Sequence, residues 1–253
     1  MKLTVLGWAA GISLPDAPQS GYLLQTEETT LLIDCGNGTL GELQRHVDMA
    51  GFDAMLLSHL HADHIADVLE MVVHRRYHPI WETEGYERLL PTWAPAEAPE
   101  RLAVAYAPSA EDRQTESLTD IFAFEPLTDG AEFIVGDIEV KAIATQHSVE
   151  CYGFRFTAEG RTLGFTADSG LCGAVEEIGR DVDLLLSEAT WSHSVGASHM
   201  TGQEAGENAK RAGAERLLLT HIETWADTDK IISDARAAFG DVEVSETGQV
   251  YEV

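Results

Sequence analysis

The stretch Ala54-Met55-Leu56-Leu57-Ser58-His59-Leu60-His61-Ala62-Asp63-His64 decides how this chain is read. An apolar run reads as a short strand, and directly after it three imidazoles and a carboxylate fall between His59 and His64. A buried polar group left without a partner costs on the order of 1–3 kcal/mol. Groups packed this densely therefore call for a shared counter-charge, and a divalent metal ion supplies one. Beyond them Ile65, Val68, Leu69, Val72 and Val73 recur at helical intervals, so the metal candidates occupy a strand-to-helix loop.

The second half repeats the device of an apolar run ending in a chemically capable side chain. Ala142 to Gln146 leads to His147, Thr162 to Ala167 to Asp168, Leu184 to Ser187 to Glu188, and Leu217 to Thr220 to His221. Strands of one sheet ending this way align these side chains along one edge. Between them, Ala174 to Gly179 reads as a short helix, Thr201 to Ala212 as a helix capped by Thr201 with Glu204 three residues on, and Asp229 to Phe239 as another amphipathic helix. Strands mixed with helices predict an α/β architecture.

Toward the amino terminus, Lys2 to Leu6 reads as a strand and Gly7 to Gly11 as a structural turn. Gly21–Gln25 and Thr30–Ile33 form a hairpin around Thr26–Thr29. Asp34, ahead of Gly36 and Gly38, is either a turn aspartate or a carboxylate holding a cluster imidazole from behind. Leu40, Leu43 and Val47 are spaced for a helix. His74-Arg75-Arg76-Tyr77-His78 places positive charge at a helix carboxyl end, with a small anion-contacting patch as the alternative. Five of the eight prolines fall from Pro79 to Pro108, which reads as an excursion, a lid or cleft wall, with a short helix at Tyr86 to Leu90. Ile121–Glu125, Glu132–Val135 and Ile138–Ile143 resume strand character.

The 253 residues fit one domain spanning 1–253. Sixteen basic against 43 acidic residues give a formal charge of -27, which disfavours a long nucleic acid, because such affinity comes from Lys and Arg displacing counterions. Cys35, Cys151 and Cys172 suit neither a disulfide framework nor a zinc knuckle and read as core packing in a reducing cytoplasm. No leader or membrane span is legible.

His59, His61, Asp63, His64, His147, Asp168 and His221 together suit zinc, with manganese or iron also accommodated. Seven ligands exceed the needs of one tetrahedral ion; two ions sharing a bridging carboxylate fit better. His59-Leu60-His61-Ala62-Asp63-His64 resembles the His-x-His-x-Asp-His signature of the metallo-β-lactamase-fold hydrolases, and Leu32-Ile33-Asp34-Cys35-Gly36, His147, Asp168 and His221 follow in that superfamily's order. The resemblance implies a four-layered αβ/βα sandwich with the metal site on a shared sheet edge. It implies that His59, His61 and His147 hold one ion, that Asp63, His64 and His221 hold the other, and that Asp168 bridges them.

Ser187-Glu188-Ala189-Thr190-Trp191 and His199-Met200-Thr201 resemble segments of the tRNA 3′-processing endonucleases, tRNase Z. There they sit beside the dinuclear centre, so Glu188 is expected to orient His199 as proton donor to a leaving alkoxide, with Asp63 orienting or deprotonating the attacking water. Those endonucleases commonly carry a tRNA-binding arm between the positions of His147 and Asp168, whereas only 20 residues separate the two here. The expectation is a dinuclear phosphodiesterase for a small anionic substrate such as a cyclic nucleotide. Alternatives are tRNA 3′ processing, lactone or thioester hydrolysis, and a non-catalytic metal-binding module. Many related hydrolases are dimers, which leaves a homodimer open.

Overall fold

The computed structural model describes residues 1–253 except 84–86, 88 and 195. The first half supplies β1 (Lys2–Gly7), β2 (Ala9–Ala10), β3 (Gly21–Gln25), β4 (Thr30–Ile33), α1 (Thr39–Leu43), β5 (Ala54–Leu56), α2 (Ala62–Ile65), α3 (Val68–Tyr77), β6 (Leu90–Ala94), α4 (Ala98–Tyr106) and β7 (Phe122–Pro126). The second supplies β8 (Glu132–Val135), β9 (Ile138–Ala144), β10 (Tyr152–Ala158), β11 (Arg161–Phe165), α5 (Gly173–Ile178), β12 (Leu184–Glu188), α6 (Gly202–Ala212), β13 (Leu217–Thr220), β14 (Ile222–Glu223), α7 (Thr228–Ala238), β15 (Val242–Val244) and β16 (Val250–Glu252).

Among the described residues these strands make two seven-stranded sheets, ordered β16-β1-β3-β4-β5-β6-β7 and β15-β13-β12-β11-β10-β9-β8. Each sheet is parallel at one end and antiparallel at the other: β4 to β7 and β11 to β15 run in parallel pairs, while β16-β1-β3-β4 and β8-β9-β10-β11 are antiparallel.

Alternation along the strands explains the layers. Leu24, Leu31 and Leu56 of one sheet and Val140, Phe154, Phe156 and Leu186 of the other belong to one buried core between the sheets. The intervening residues Leu23, Leu32 and Met55 point the other way, onto Leu43, Val72 and Leu102 of α1, α3 and α4. Leu185, Leu217 and Leu219 likewise meet Ile178, Ala209 and Ile231 of α5, α6 and α7. The result is the four-layered αβ/βα sandwich. Each fully buried Leu or Phe contributes roughly 1.5–3 kcal/mol of transfer free energy. The sheets are joined near the edge that carries His59 and His221 by a 2.7 Å hydrogen bond between the hydroxyls of Tyr22 and Thr220 and by the parallel pairing of β2 with β14.

Several expectations are corrected. The Pro79–Pro108 stretch is no excursion: β6 lies between β5 and β7 within a sheet, and α4 packs over it. Pro99 sits in the first turn of α4, where no amide donor is needed. Of the helix expected at 86–90, positions 86 and 88 lie outside the described residues, and Leu90 opens β6. The helix after His64 is broken into α2 and α3 at Ala66-Asp67, where the Asp67 amide donates to the Cys35 carbonyl at 3.0 Å instead of to Asp63, while its carboxylate accepts the Leu40 amide at 3.0 Å. The helix expected through Val47 ends at Leu43. The basic run 74–78 is not an open anion patch: Arg75 is buried with its guanidinium 4.5 Å from the Trp81 ring, and Arg76 forks onto Glu116 and Asp120. Thr201 and Glu204 form the expected capping box.

Candidate metal centre

All seven expected ligands converge at one edge of the sandwich. His59, His61, Asp63 and His64 follow β5, His147 follows β9, Asp168 follows β11 and His221 follows β13. The donor atoms of His59, His61, His147 and Asp168 lie within 4.8 Å of one another, as do those of Asp63, His64 and His221. Individual spacings are 3.1 Å from His61 Nδ1 to both His59 Nε2 and His147 Nε2, and 3.4 Å from His221 Nε2 to Asp63 Oδ2. Bonds of about 2.0–2.1 Å at tetrahedral angles set neighbouring ligand atoms roughly 3.3 Å apart. Asp168 reaches both groups: its Oδ2 is 3.7 Å from His59 Nε2 and 3.4 Å from His221 Nε2, and its Oδ1 is 3.4 Å from His64 Nε2.

Hydrogen bonding from behind fixes which ring nitrogen faces inward. His147 Nδ1 donates to the Ser198 carbonyl at 3.1 Å, and His64 Nδ1 donates to Asp34 Oδ2 at 2.8 Å. The Ser58 hydroxyl donates to Asp34 Oδ2 at 2.8 Å and so accepts from His59 Nδ1 at 3.0 Å. The Thr190 hydroxyl donates to Glu188 Oε2 at 2.6 Å and so accepts from His221 Nδ1 at 3.0 Å. In their neutral forms all four rings thus turn a lone pair toward the cluster, the tautomer a metal ligand requires.

The cluster fits cations and little else. His64 Nε2 and Asp168 Oδ1 are buried, face each other at 3.4 Å and have no hydrogen-bond partner among the described residues. Burial would lower the His64 pKa, yet Asp168 and Asp34 hold it well above the usual imidazole range. The site draws positive charge to that atom, as a proton or as a metal ion. Burial, with His64 alongside, pushes His59 well below its ordinary value, and burial also lowers His61 and His147, keeping their lone pairs available. Burial opposes ionisation of Asp63 and Asp168, but His221 and His64 hold both below the usual carboxylate range.

Asp34, Ala167 and His221 adopt left-handed backbone conformations, with φ of 55°, 49° and 49°. Such strain costs on the order of 1 kcal/mol per residue and concentrates at functional sites. Asp34 proves to be the carboxylate behind His64 rather than merely a turn residue. The Gly7–Gly11 loop is more than a turn, since the Gly11 amide donates to Asp63 Oδ2 at 2.9 Å.

The β-lactamase superfamily domain model matches residues 29–222 of this chain. The chain belongs to this superfamily. An uncharacterized protein of Mycobacterium tuberculosis, Rv1339, is 38% identical over 259 residues, covering 100% of this chain and 92% of its own length. The probable metallo-hydrolase YhfI of Bacillus subtilis is 32% identical, with 100% of both chains covered. The YhfI crystal structure, a metallo-β-lactamase fold, superposes with a TM-score of 0.84 over 99% of each chain. Two more distant structures share the fold: human tRNase Z, short form (TM-score 0.74, 22% identity, covering 100% of this chain and 99% of that one), and a diphosphatase of the PhnP family (0.75, 18%, 100% and 97%). This superfamily member is a metallo-hydrolase whose His and Asp groups can hold divalent metal ions.

Glu188 and His199 also arrive at the site. Glu188 is buried at the end of β12, and its Oε1 accepts from His199 Nδ1 at 3.1 Å. Burial would lower the His199 pKa, but the hydrogen bond and charge of Glu188 push it up to about 9. The His199 ring stacks on His221, centroids 5.6 Å apart. Sequence reading missed Ser58 and Thr190 as orienting groups, since small hydroxyl residues carry no pattern until the fold places them. Cys35 and Cys151 are buried and all three cysteines are free thiols.

Proposed function

We propose that this superfamily member is a dinuclear metal-dependent phosphodiesterase acting on a small phosphodiester such as a cyclic nucleotide. The observation carrying the reading is the Glu188–His199 pair beside the cluster, which holds a proton donor where a poor alkoxide leaving group would depart. His59, His61, His147 and Asp168 would hold one ion, and Asp63, His64, His221 and Asp168 the other, with zinc the best match to this donor set. Two such ions supply a nucleophile at neutral pH and charge neutralisation for in-line displacement.

The chain's own groups do the rest. Asp63, fixed by the Gly11 amide, accepts a proton from the attacking water. His199 Nε2 delivers a proton to the leaving oxygen, and Glu188 stabilises the imidazolium before transfer. The Thr190 hydroxyl, within 3.3 Å of His199 Nδ1, fixes Glu188 between His199 and His221.

Substrate size follows from the connection between His147 and Asp168. Residues 148–167 are spent on a turn, β10, a tight turn and β11, all but the first within the sheet. No protruding arm is left between His147 and Asp168 to grip tRNA, and the net charge of -27 disfavours a long nucleic acid. The likeness to tRNase Z therefore supports the shared chemistry and not the shared substrate.

The test is turnover by metal-loaded protein of a chromogenic phosphodiester, 3′,5′-cyclic AMP, precursor tRNA and a lactone. Phosphodiester hydrolysis lost in Asp168→Ala supports the reading; activity confined to the lactone, or to tRNA, overturns it.

A further inference from the structure

A cavity of about 260 Å³ adjoins His61, a member of the group with His59 and His147, between the loop after β5, the start of α4 and the loop after His147. This is just below the ~300–1,000 Å³ of ordinary ligand pockets, enough for one small organic group. Leu60, Pro95 and Val149 give it apolar walls, and Val149 is 42% exposed. Its polar lining is Arg101, Glu97 and Glu150.

Arg101 is the basic side chain that lines this cavity, and several of the others in a chain with only 16 Lys and Arg are spent on carboxylates. Arg76, Arg161 and Arg211 each engage an acidic side chain. The Arg101 guanidinium forms no hydrogen bond or ion pair with any described residue, although Glu97 lines the same cavity. Glu150 is held by the Tyr152 hydroxyl, which donates to its Oε1 at 2.7 Å and leaves Oε2 available.

We infer that this cavity is the subsite for the nucleobase of the substrate, and that it favours a base bearing an exocyclic amino group. The inference rests on the phosphodiesterase reading, since it assigns the part of the substrate that does not react. A flat heterocycle fits between apolar walls. Two carboxylates against one guanidinium disfavour a second phosphate there, so a polynucleotide or a diphosphate is poorly matched. Carboxylates accept from an amino group, and the guanidinium donates to ring nitrogens or a carbonyl, a combination that a neutral amino-bearing base presents on one edge.

The test uses metal-loaded protein and its Arg101→Ala variant, a surface change that leaves the cluster untouched. Substrates are 3′,5′-cyclic AMP and methyl p-nitrophenyl phosphate, a diester with no base, and binding of the product adenosine 5′-monophosphate is followed by calorimetry. The expected result is a loss of about tenfold in kcat/KM for cyclic AMP, carried by KM, and a similar loss in product affinity. Turnover of the base-free diester stays within about twofold. Equal effects on both substrates, or none on either, would overturn the subsite and leave the phosphodiesterase reading standing. Absence of turnover of both diesters by the parent protein would overturn both.

Discussion

Replacing Asp34 with Asn probes how the metal ligands are held without altering any of them. Asp34 is fully buried and accepts three hydrogen bonds: from the Ser58 amide at 2.7 Å, the Ser58 hydroxyl at 2.8 Å and His64 Nδ1 at 2.8 Å. Asparagine has nearly the same shape but carries donors on one side. If its oxygen keeps the Ser58 amide, its NH₂ faces both the Ser58 hydroxyl and His64 Nδ1–H. His64 relieves the donor–donor clash by moving its proton to Nε2, which removes the lone pair directed at Asp168. Loss of a carboxylate behind a ligating histidine costs 10–100-fold in metal affinity, about 1.4–2.7 kcal/mol. The asparagine retains the volume, so the fold survives, whereas alanine would orphan three buried donors at about 1–3 kcal/mol each. Competition with a chromophoric chelator measures the affinity, and circular dichroism checks the fold. Metal affinity equal to the parent's in a folded Asp34→Asn protein would refute the tautomer argument.

His199→Ala is expected to retain both ions while losing turnover at least 100-fold with alkoxide leaving groups and little with p-nitrophenolate; equal losses on both would reject the general-acid role. His199 acts protonated, so the parent's rate on poor leaving groups falls as pH rises through the folded value of about 9. Cations bound alongside move that limb to lower pH, never higher, which a pH–rate profile from 6 to 10 resolves. Protons compete with metal at His59, His61 and His147, whose values burial pushes below the ordinary 6.5, so affinity for the ion they would hold stays flat near neutrality and falls only as pH drops through the depressed values, whereas His64, held well above 6.5, must lose a proton first and makes affinity for the other ion rise with pH. Equilibrium dialysis in which both ions are lost together above pH 6.5 would contradict this. In Gly36→Ala the new Cβ would meet the Asp63 carbonyl at 2.1 Å, so a destabilisation of about 1–3 kcal/mol is expected, and an unchanged denaturant midpoint would tell against the close approach.

Much of the site was legible because metal chemistry uses few residue types and strands end abruptly. His59, His61, His147, Asp168 and His221 each follow a run of buried apolar residues, and such runs make strands of a two-faced sandwich recognisable. Legibility failed where the physics is tertiary. Leu90–Ala94 contains Pro91 and looked irregular, yet β6 is an inner strand because Pro91 is exposed and gives up only one amide. Tyr152–Ala158 alternates cleanly, and its length was absorbed into the interval between two ligands. Asp67 leaves the helical path by donating its amide to the Cys35 carbonyl, a contact that local periodicity does not encode. Ser58, Thr190 and the Gly11 amide are ordinary groups that became specific only when the edges of the two sheets met.

Anomalous scattering from crystals grown with zinc would locate the ions. Two peaks per chain are expected about 3.5–4 Å apart, one among His59, His61 and His147 and the other among Asp63, His64 and His221, with Asp168 between them. A single peak, or none at this edge, would contradict the two-ion reading.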